Sequence, residues 1–186
     1  MTKEILIILG PAGSGKSTQN ELLSKKLKYK SIIMSDVLKE EIKKNTKIGK
    51  HIHQLISKGN LAPDNIACDL LFKKIQKERS KKIILDGFPR VTNQAVIFNY
   101  FLHTKNYKLK GIIFINVPKN ECVKRMLLRK RSDDTKEIIE KRFNIYFKDT
   151  KPVLKYYENM GLLIDINGKQ TIPEVHNEIL KKLKKV

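Results

Sequence analysis

Residues 5–18 read ILIILGPAGSGKST, and this stretch decides the fold. Residues 5–9 are an uninterrupted apolar run rich in β-branched side chains, the pattern of a strand buried on both faces. The run leads straight into Gly10-Pro11-Ala12-Gly13-Ser14-Gly15-Lys16-Ser17, which matches the phosphate-loop pattern G-x-x-x-x-G-K-[ST] without a mismatch. Glycines let backbone N–H groups face inward with no Cβ in the way. A helix starting at the end of the loop points the positive end of its dipole at the same spot. Lys16 would reach the outer phosphates as a point charge. Strand, loop and helix occur in the required order, which argues a nucleotide cradle over a chance glycine turn.

Outward from this stretch, helical and strand patterns alternate. Helices are predicted over 18–28 (Leu22, Leu23 and Leu27 at core spacing), from a cap at Ser35 or Asp36 through residue 45, and over 49–58, 63–79, 92–103, 120–130 and 173–183. Short apolar runs at 31–34, 82–86, 111–117 and 162–166 read as strands. Ser132 or Asp133 would cap a long helix after the 120–130 segment, which Pro152 should kink or restart. Alternation of this kind argues an α/β fold: three layers, with a parallel sheet of about five strands between helices. The chain reads as one domain. Its core covers 1–33, 63–128 and 135–186, with a small helical insertion at 34–62 and a short break between helices at 129–134.

The 186 residues, 40% hydrophobic, suit a single core of ordinary size. There is no apolar run long enough to span a membrane, and the N-terminus enters the buried strand at once, so a secretory leader is not expected. Cys68 and Cys122 are isolated, with neither CxxC nor a zinc-ligand spacing, which predicts a reducing, cytoplasmic setting and no structural zinc. The net charge of +20 raises the question of nucleic acid. Yet the lysines are scattered along polar helix faces and few aromatics lie among them, so no stacking platform forms and no specific nucleic-acid partner is expected. Weak, salt-sensitive association with polyanions would remain.

The arginines carry more information. There are six, at 79, 90, 125, 129, 131 and 142, in a chain that otherwise uses lysine for positive charge. Four fall between residues 125 and 142, and a guanidinium offers phosphate a bidentate fork that an ammonium lacks. The cluster reads as a phosphate clamp. Asp86, ending the strand at 82–86, would face the crevice where ligands bind in a parallel sheet, and is the candidate to hold Mg²⁺ through water. His51, His53, His103 and His176 sit in no motif and read as surface or helix-packing residues.

GPAGSGKSTQ, SDVLK, GNLAPDN, LDGFPRVTNQA, VP, RMLLR, RSDD and EKR, in that order across essentially the whole chain, resemble adenylate kinases and related nucleoside monophosphate kinases. The resemblance implies an ATP:AMP phosphotransferase, dependent on Mg²⁺ and acting as a monomer. It implies that Gly13, Ser14, Gly15, Lys16, Ser17 and Thr18 hold the ATP phosphates, and that Arg125, Arg129 and Gln170 also contact ATP. Lys16, Arg90, Arg129, Arg131 and Arg142 would surround the transferring phosphoryl group. On the AMP side it implies Met34, Lys39, Asn60, Leu61, Ala62, Gly87, Phe88, Pro89, Arg90, Gln94, Arg131 and Arg142, with the Gln94 amide reading the base. Departures are visible: Met34-Ser35 replaces the family's usual Thr-Gly, Lys39 replaces an arginine, Ser17 replaces a common glycine, and Lys130 alone separates Arg129 from Arg131. The resemblance implies a P-loop NTPase-type core in which 34–62 is the NMP-binding insertion and 129–134 a minimal lid, too short for the family's long zinc-bearing form. A UMP/CMP kinase of the same family and a regulatory or assembly ATPase on the same fold stand as alternatives.

Overall fold

Strand β1 (Glu4–Leu9) is the middle of a five-stranded sheet of order β2-β3-β1-β4-β5, with β2 at Lys30–Ile33, β3 at Lys82–Asp86, β4 at Lys108–Asn116 and β5 at Leu163–Asn167. All four pairings are parallel. The computed structural model describes residues 2–129 and 135–184. Parallel neighbours need crossovers, and helices supply them. They are α1 (Lys16–Leu27), α2 (Met34–Lys43), α3 (Lys47–Ser57), α4 (Asp64–Lys77), α5 (Thr92–Thr104), α6 (Lys119–Leu128), α7 (Lys136–Ile145), α8 (Lys151–Asn159) and α9 (Ile172–Leu183). Among the described residues no helix is long and apolar enough to cross a membrane.

Successive side chains of a strand point to opposite faces. Ile5, Ile7 and Leu9 therefore enter one core with Ile83 and Leu85, while Leu6 and Ile8 enter the other with Ile84 and Ile113. Ile5 to Ile8 are wholly buried. Each such side chain contributes roughly 1.5–3 kcal/mol, so this strand anchors both layers. In the register Ile8 lies opposite Asp86, so the loops leaving β1 and β3 emerge side by side at the carboxyl edge of the sheet.

Several local expectations are corrected. Helix α2 begins at Met34 directly off β2, with Ile33 at its N-cap and no side-chain cap, so neither Ser35 nor Asp36 serves. Thr46 caps α3, accepting from the Gly49 N–H at 3.0 Å, and Thr135 caps α7, accepting from the Ile138 N–H at 3.4 Å. Ser132 and Asp133 lie outside the described residues. Of the three leucines expected to seat α1, only Leu23 is fully buried. Gln19 and Asn20 take the other buried places because each has a partner: Gln19 donates to the Ile172 carbonyl at 2.9 Å and Asn20 to Ser31 Oγ at 2.8 Å. Strand β4 begins at Lys108 instead of 111, and skips Lys110 as its pairing with β1 shifts between Leu109 and Gly111. Between α7 and α8 the chain forms one π turn, Tyr146–Thr150, and Pro152 stands in the first turn of α8.

Candidate active site

The cradle is built as its sequence requires. Gly13 and Gly15 have φ of 83° and 94°, a region that favours glycine, and Gly15 in this conformation is the N-cap of α1. The loop closes on itself, the Ser14 N–H donating to the Pro11 carbonyl at 3.2 Å. The Lys16 ammonium folds over the loop and donates to the same carbonyl at 2.8 Å. Ser17 Oγ donates to the Asp86 carboxylate at 3.3 Å, joining the start of α1 to the end of β3.

A cleft of about 800 Å³ opens above this edge of the sheet. Gly13, Ser14, Gly15, Lys16, Ser17 and Thr18 line it, with Asp86 on its floor. Lys39, Arg90, Arg125, Arg129 and Arg142 line it too. Among the described residues Asp86 is the one carboxylate in this lining, so cations outnumber anions heavily. Loss of hydration among the surrounding protein atoms pushes the Lys16 ammonium down to about 8, with Asp86 opposing the shift and Arg90 and Arg129 adding to it. The same loss of hydration lowers the Arg90 guanidinium, with Asp86 opposing the shift and Arg142 adding to it. The cations thus sense one another across the cleft, an arrangement suited to a ligand with several negative charges. Arg125 pairs with Glu121 at 2.8 Å, and Lys39 lies 3.8 Å from Asp36. Arg131 falls outside the described residues.

Residues 8–162 match the sequence pattern of the family described as adenylate kinase. The chain belongs to that family. It is similar to an adenylate kinase of Thermus thermophilus, 34% identical over 95% of each chain. It is also similar to adenylate kinases of Prochlorococcus marinus, 35% identical over 97% of this chain and 99% of the relative, and of Encephalitozoon cuniculi, 36% identical over 96% and 97%. As a member of the adenylate kinase family it is a nucleoside monophosphate kinase, a phosphotransferase.

For an adenylate kinase family member the acceptor side holds surprises. Asn60, Leu61, Gly87 and Pro89 line the cleft, and so does Gln170 on the ATP side. Met34, Ala62, Phe88 and Gln94 do not. Met34, Ala62 and Phe88 are 5%, 7% and 1% exposed and belong to the hydrophobic core, where the Phe88 ring meets Phe72 and Phe98 edge-on. Met34 points inward because it opens α2, whose apolar face also seats Val37 and Leu38. Gln94 is 3% exposed and both ends of its amide are engaged. Its Oε1 accepts from the Arg90 N–H at 2.9 Å, and its Nε2 donates to Asp64 at 2.7 Å. The amide fork expected to face a base is turned instead to its own chain.

Other lining residues escaped the sequence reading: Ser35 and Ile56 from the insertion, Tyr146 and Thr150 from the π turn, and Ile172 opening α9. Ser35 reads in the sequence as a candidate cap, a role that the helix start at Met34 removes. The π turn had one signal, Pro152, whose missing N–H disturbs the helix before it. Nothing local marks Ile172, 56% exposed at the cleft, because an exposed aliphatic in a helix first turn is common. Cys122 and Cys68 are buried free thiols, each pushed up to about 11 chiefly by burial. His176 packs against Gln19 at 3.3 Å, a helix-packing role.

Proposed function

We propose that this chain catalyses reversible transfer of the ATP γ-phosphoryl group to AMP, giving two ADP. One observation carries the reading: Arg90 from the loop after β3, Arg125 and Arg129 from α6 and its C-cap, and Arg142 from α7 share a single cleft with the glycine cradle and Lys16. The acceptor phosphate is already an oxyanion at neutral pH, so no general base is needed. Catalysis then consists of positioning and charge neutralisation. Gly13 to Thr18 take the ATP phosphates through backbone N–H groups, Lys16 and the helix dipole. Arg125 and Gln170 belong to the ATP side. Lys39, Asn60, Leu61, Gly87, Pro89 and Arg90 belong to the acceptor side, while Arg129, Arg131 and Arg142 close on the phosphoryl group in flight.

The Ser17 hydroxyl and the Asp86 carboxylate are hard oxygen donors in hydrogen-bond reach of each other beside the cradle, a set that fits Mg²⁺. Mg²⁺ would neutralise charge on the β and γ oxygens, with Asp86 holding it through water. The insertion at 34–62 closes over the acceptor and keeps water from the phosphoryl group. With so short a lid at 129–134, some ATP hydrolysis accompanies transfer. The enzyme works as a monomer in the cytoplasm, and two buried, unpaired thiols support the reducing compartment.

The test is a coupled assay of purified protein with MgATP and each nucleoside monophosphate in turn. AMP should give the highest kcat/KM, and omission of Mg²⁺ should abolish ADP formation. A clear preference for UMP or CMP would move the chain to the pyrimidine kinases. Vigorous ATP hydrolysis with no acceptor dependence would replace the kinase reading with an ATPase.

A further inference from the structure

We propose that Thr150 is a positioning residue for Arg90, delivered to it by the π turn that follows the helix carrying Arg142. The inference rests on the phosphoryl-transfer reading above and assigns a part to a residue that the phosphate-binding motifs leave out.

Three bonds from three segments hold Arg90. Its N–H donates to Gln94 Oε1 at 2.9 Å, its Nε donates to the Gly87 carbonyl at 3.0 Å, and its own carbonyl accepts from Thr150 Oγ1 at 2.9 Å. The first two come from neighbours in sequence. The third comes from sixty residues away, on the chain segment that leads out of α7. Thr150 is 8% exposed, so water is poorly placed to replace its hydroxyl if it is lost.

The π turn explains how Thr150 gets there. Pro152 has no N–H to give the carbonyl four residues back, and the Lys151 N–H instead donates to the Tyr146 carbonyl, five residues back. In a continuous α-helix, eight residues would place Thr150 about 80° around the axis from Arg142. A π turn rotates less per residue and removes much of that offset. Arg142 and Thr150 both line the cleft.

The physical need is plain. Arg90 and Arg142 carry like charges on separate elements and must grip one phosphoryl group with a fixed spacing. Before nucleotide arrives they repel each other. A neutral hydrogen bond from the Arg142 segment to the Arg90 backbone holds the two elements in register without consuming a donor of either guanidinium.

The experiment compares wild type, Thr150→Val and Thr150→Ser, each alone and combined with Arg90→Lys, with Thr150→Ala as a second hydroxyl deletion should the valine fail to fold. Hydrogen exchange of residues 87–94 in nucleotide-free protein is read first, because it does not depend on the reaction. Thr150→Val should speed exchange there about tenfold, the loss expected for one buried bond, and Thr150→Ser should not. In turnover, Thr150→Val should lower kcat about tenfold with the KM for ATP little changed, and Thr150→Ser should restore it to within about twofold. In the Arg90→Lys background the same substitution should cost less than about threefold, because the group being positioned is already compromised. Equal exchange in the valine and serine variants overturns the proposal, as does serine as impaired as valine, or an undiminished tenfold loss beside Arg90→Lys. If wild type phosphorylates no monophosphate, the functional reading fails, and the exchange comparison still decides whether Thr150 holds Arg90.

Discussion

Adding one methyl group at Gly13 and one at Gly15 should produce two different failures. A Cβ on Gly13 would lie 2.5 Å from the Cys122 carbonyl oxygen and 2.9 Å from Met126 Cγ. Cys122 and Met126 are both 0% exposed, packed in the core beneath the loop. The methionine side chain can yield, but the carbonyl belongs to the backbone of α6 and cannot rotate away. The φ of 83° adds left-handed strain of about 1–2 kcal/mol, and forced overpacking adds about 1–3 kcal/mol. Gly13→Ala should therefore cost about 2–5 kcal/mol, a large part of the 5–15 kcal/mol typical of a domain. Gly15 has a φ of 94° and nothing within 4 Å of a built Cβ, so Gly15→Ala should cost only the strain, about 1–2 kcal/mol. Its methyl group would instead occupy the exposed cleft to which the proposed function assigns the ATP phosphates. Urea unfolding gives the stabilities and calorimetric titration with MgATP gives the affinities. Gly13→Ala should lower the unfolding midpoint with the m-value unchanged. Gly15→Ala should weaken MgATP binding at least tenfold while keeping most of its stability. If Gly13→Ala proves as stable as Gly15→Ala, the loop does not pack on α6 as described and the reasoning fails.

Arg142→Ala should reduce kcat by two orders of magnitude or more with the protein still folded; an unaltered rate removes Arg142 from the clamp. Lys16, near 8 in the free protein, is charged below that pH and loses its charge above it. Accordingly kcat/KM for ATP should fall as pH rises through about 8 and approach tenfold per unit beyond it, while Lys16→Met should flatten that limb of the profile. Gln94→Leu strands the Arg90 N–H and removes a partner of Asp64, so it should destabilise by about 1–3 kcal/mol and raise the acceptor KM while leaving the ATP KM alone. Stability unchanged in Gln94→Leu would show that the amide is not held as described.

How much of this was legible before folding depends on the range of the interaction. The phosphate loop is local: β-strand, glycines and lysine are contiguous, and the signs of φ at Gly13 and Gly15 follow from the missing Cβ. The parallel sheet followed from apolar runs alternating with helical segments, since strands buried on both faces lose the period-2 pattern. The arginines stood out by composition alone, because a lysine-biased chain that retains a few guanidiniums retains them where a planar fork is needed. These properties were determined by residue type and spacing, and so the fold class, the glycine cradle, Asp86 and the arginines could be named in advance, whereas Lys39, Asn60, Leu61, Gly87, Pro89 and Gln170 were named only through the resemblance to adenylate kinases.

Facing and pairing were decided only in three dimensions. That Met34, Ala62 and Phe88 turn into the core follows from how α2 and the loop after β3 dock on the sheet, because an apolar side chain near a ligand site is buried wherever the neighbouring layer offers volume. Whether the Gln94 amide faces solvent or its own chain depends on Asp64, thirty residues away, reaching it as α4 and α5 pack together. Thr150 reaches Arg90 across sixty residues, through a helix irregularity that Pro152 permits but whose direction the surrounding packing selects. A sequence states which groups can hydrogen-bond; the packed layers choose the partner, because a buried donor or acceptor left alone costs more than almost any local preference can offset.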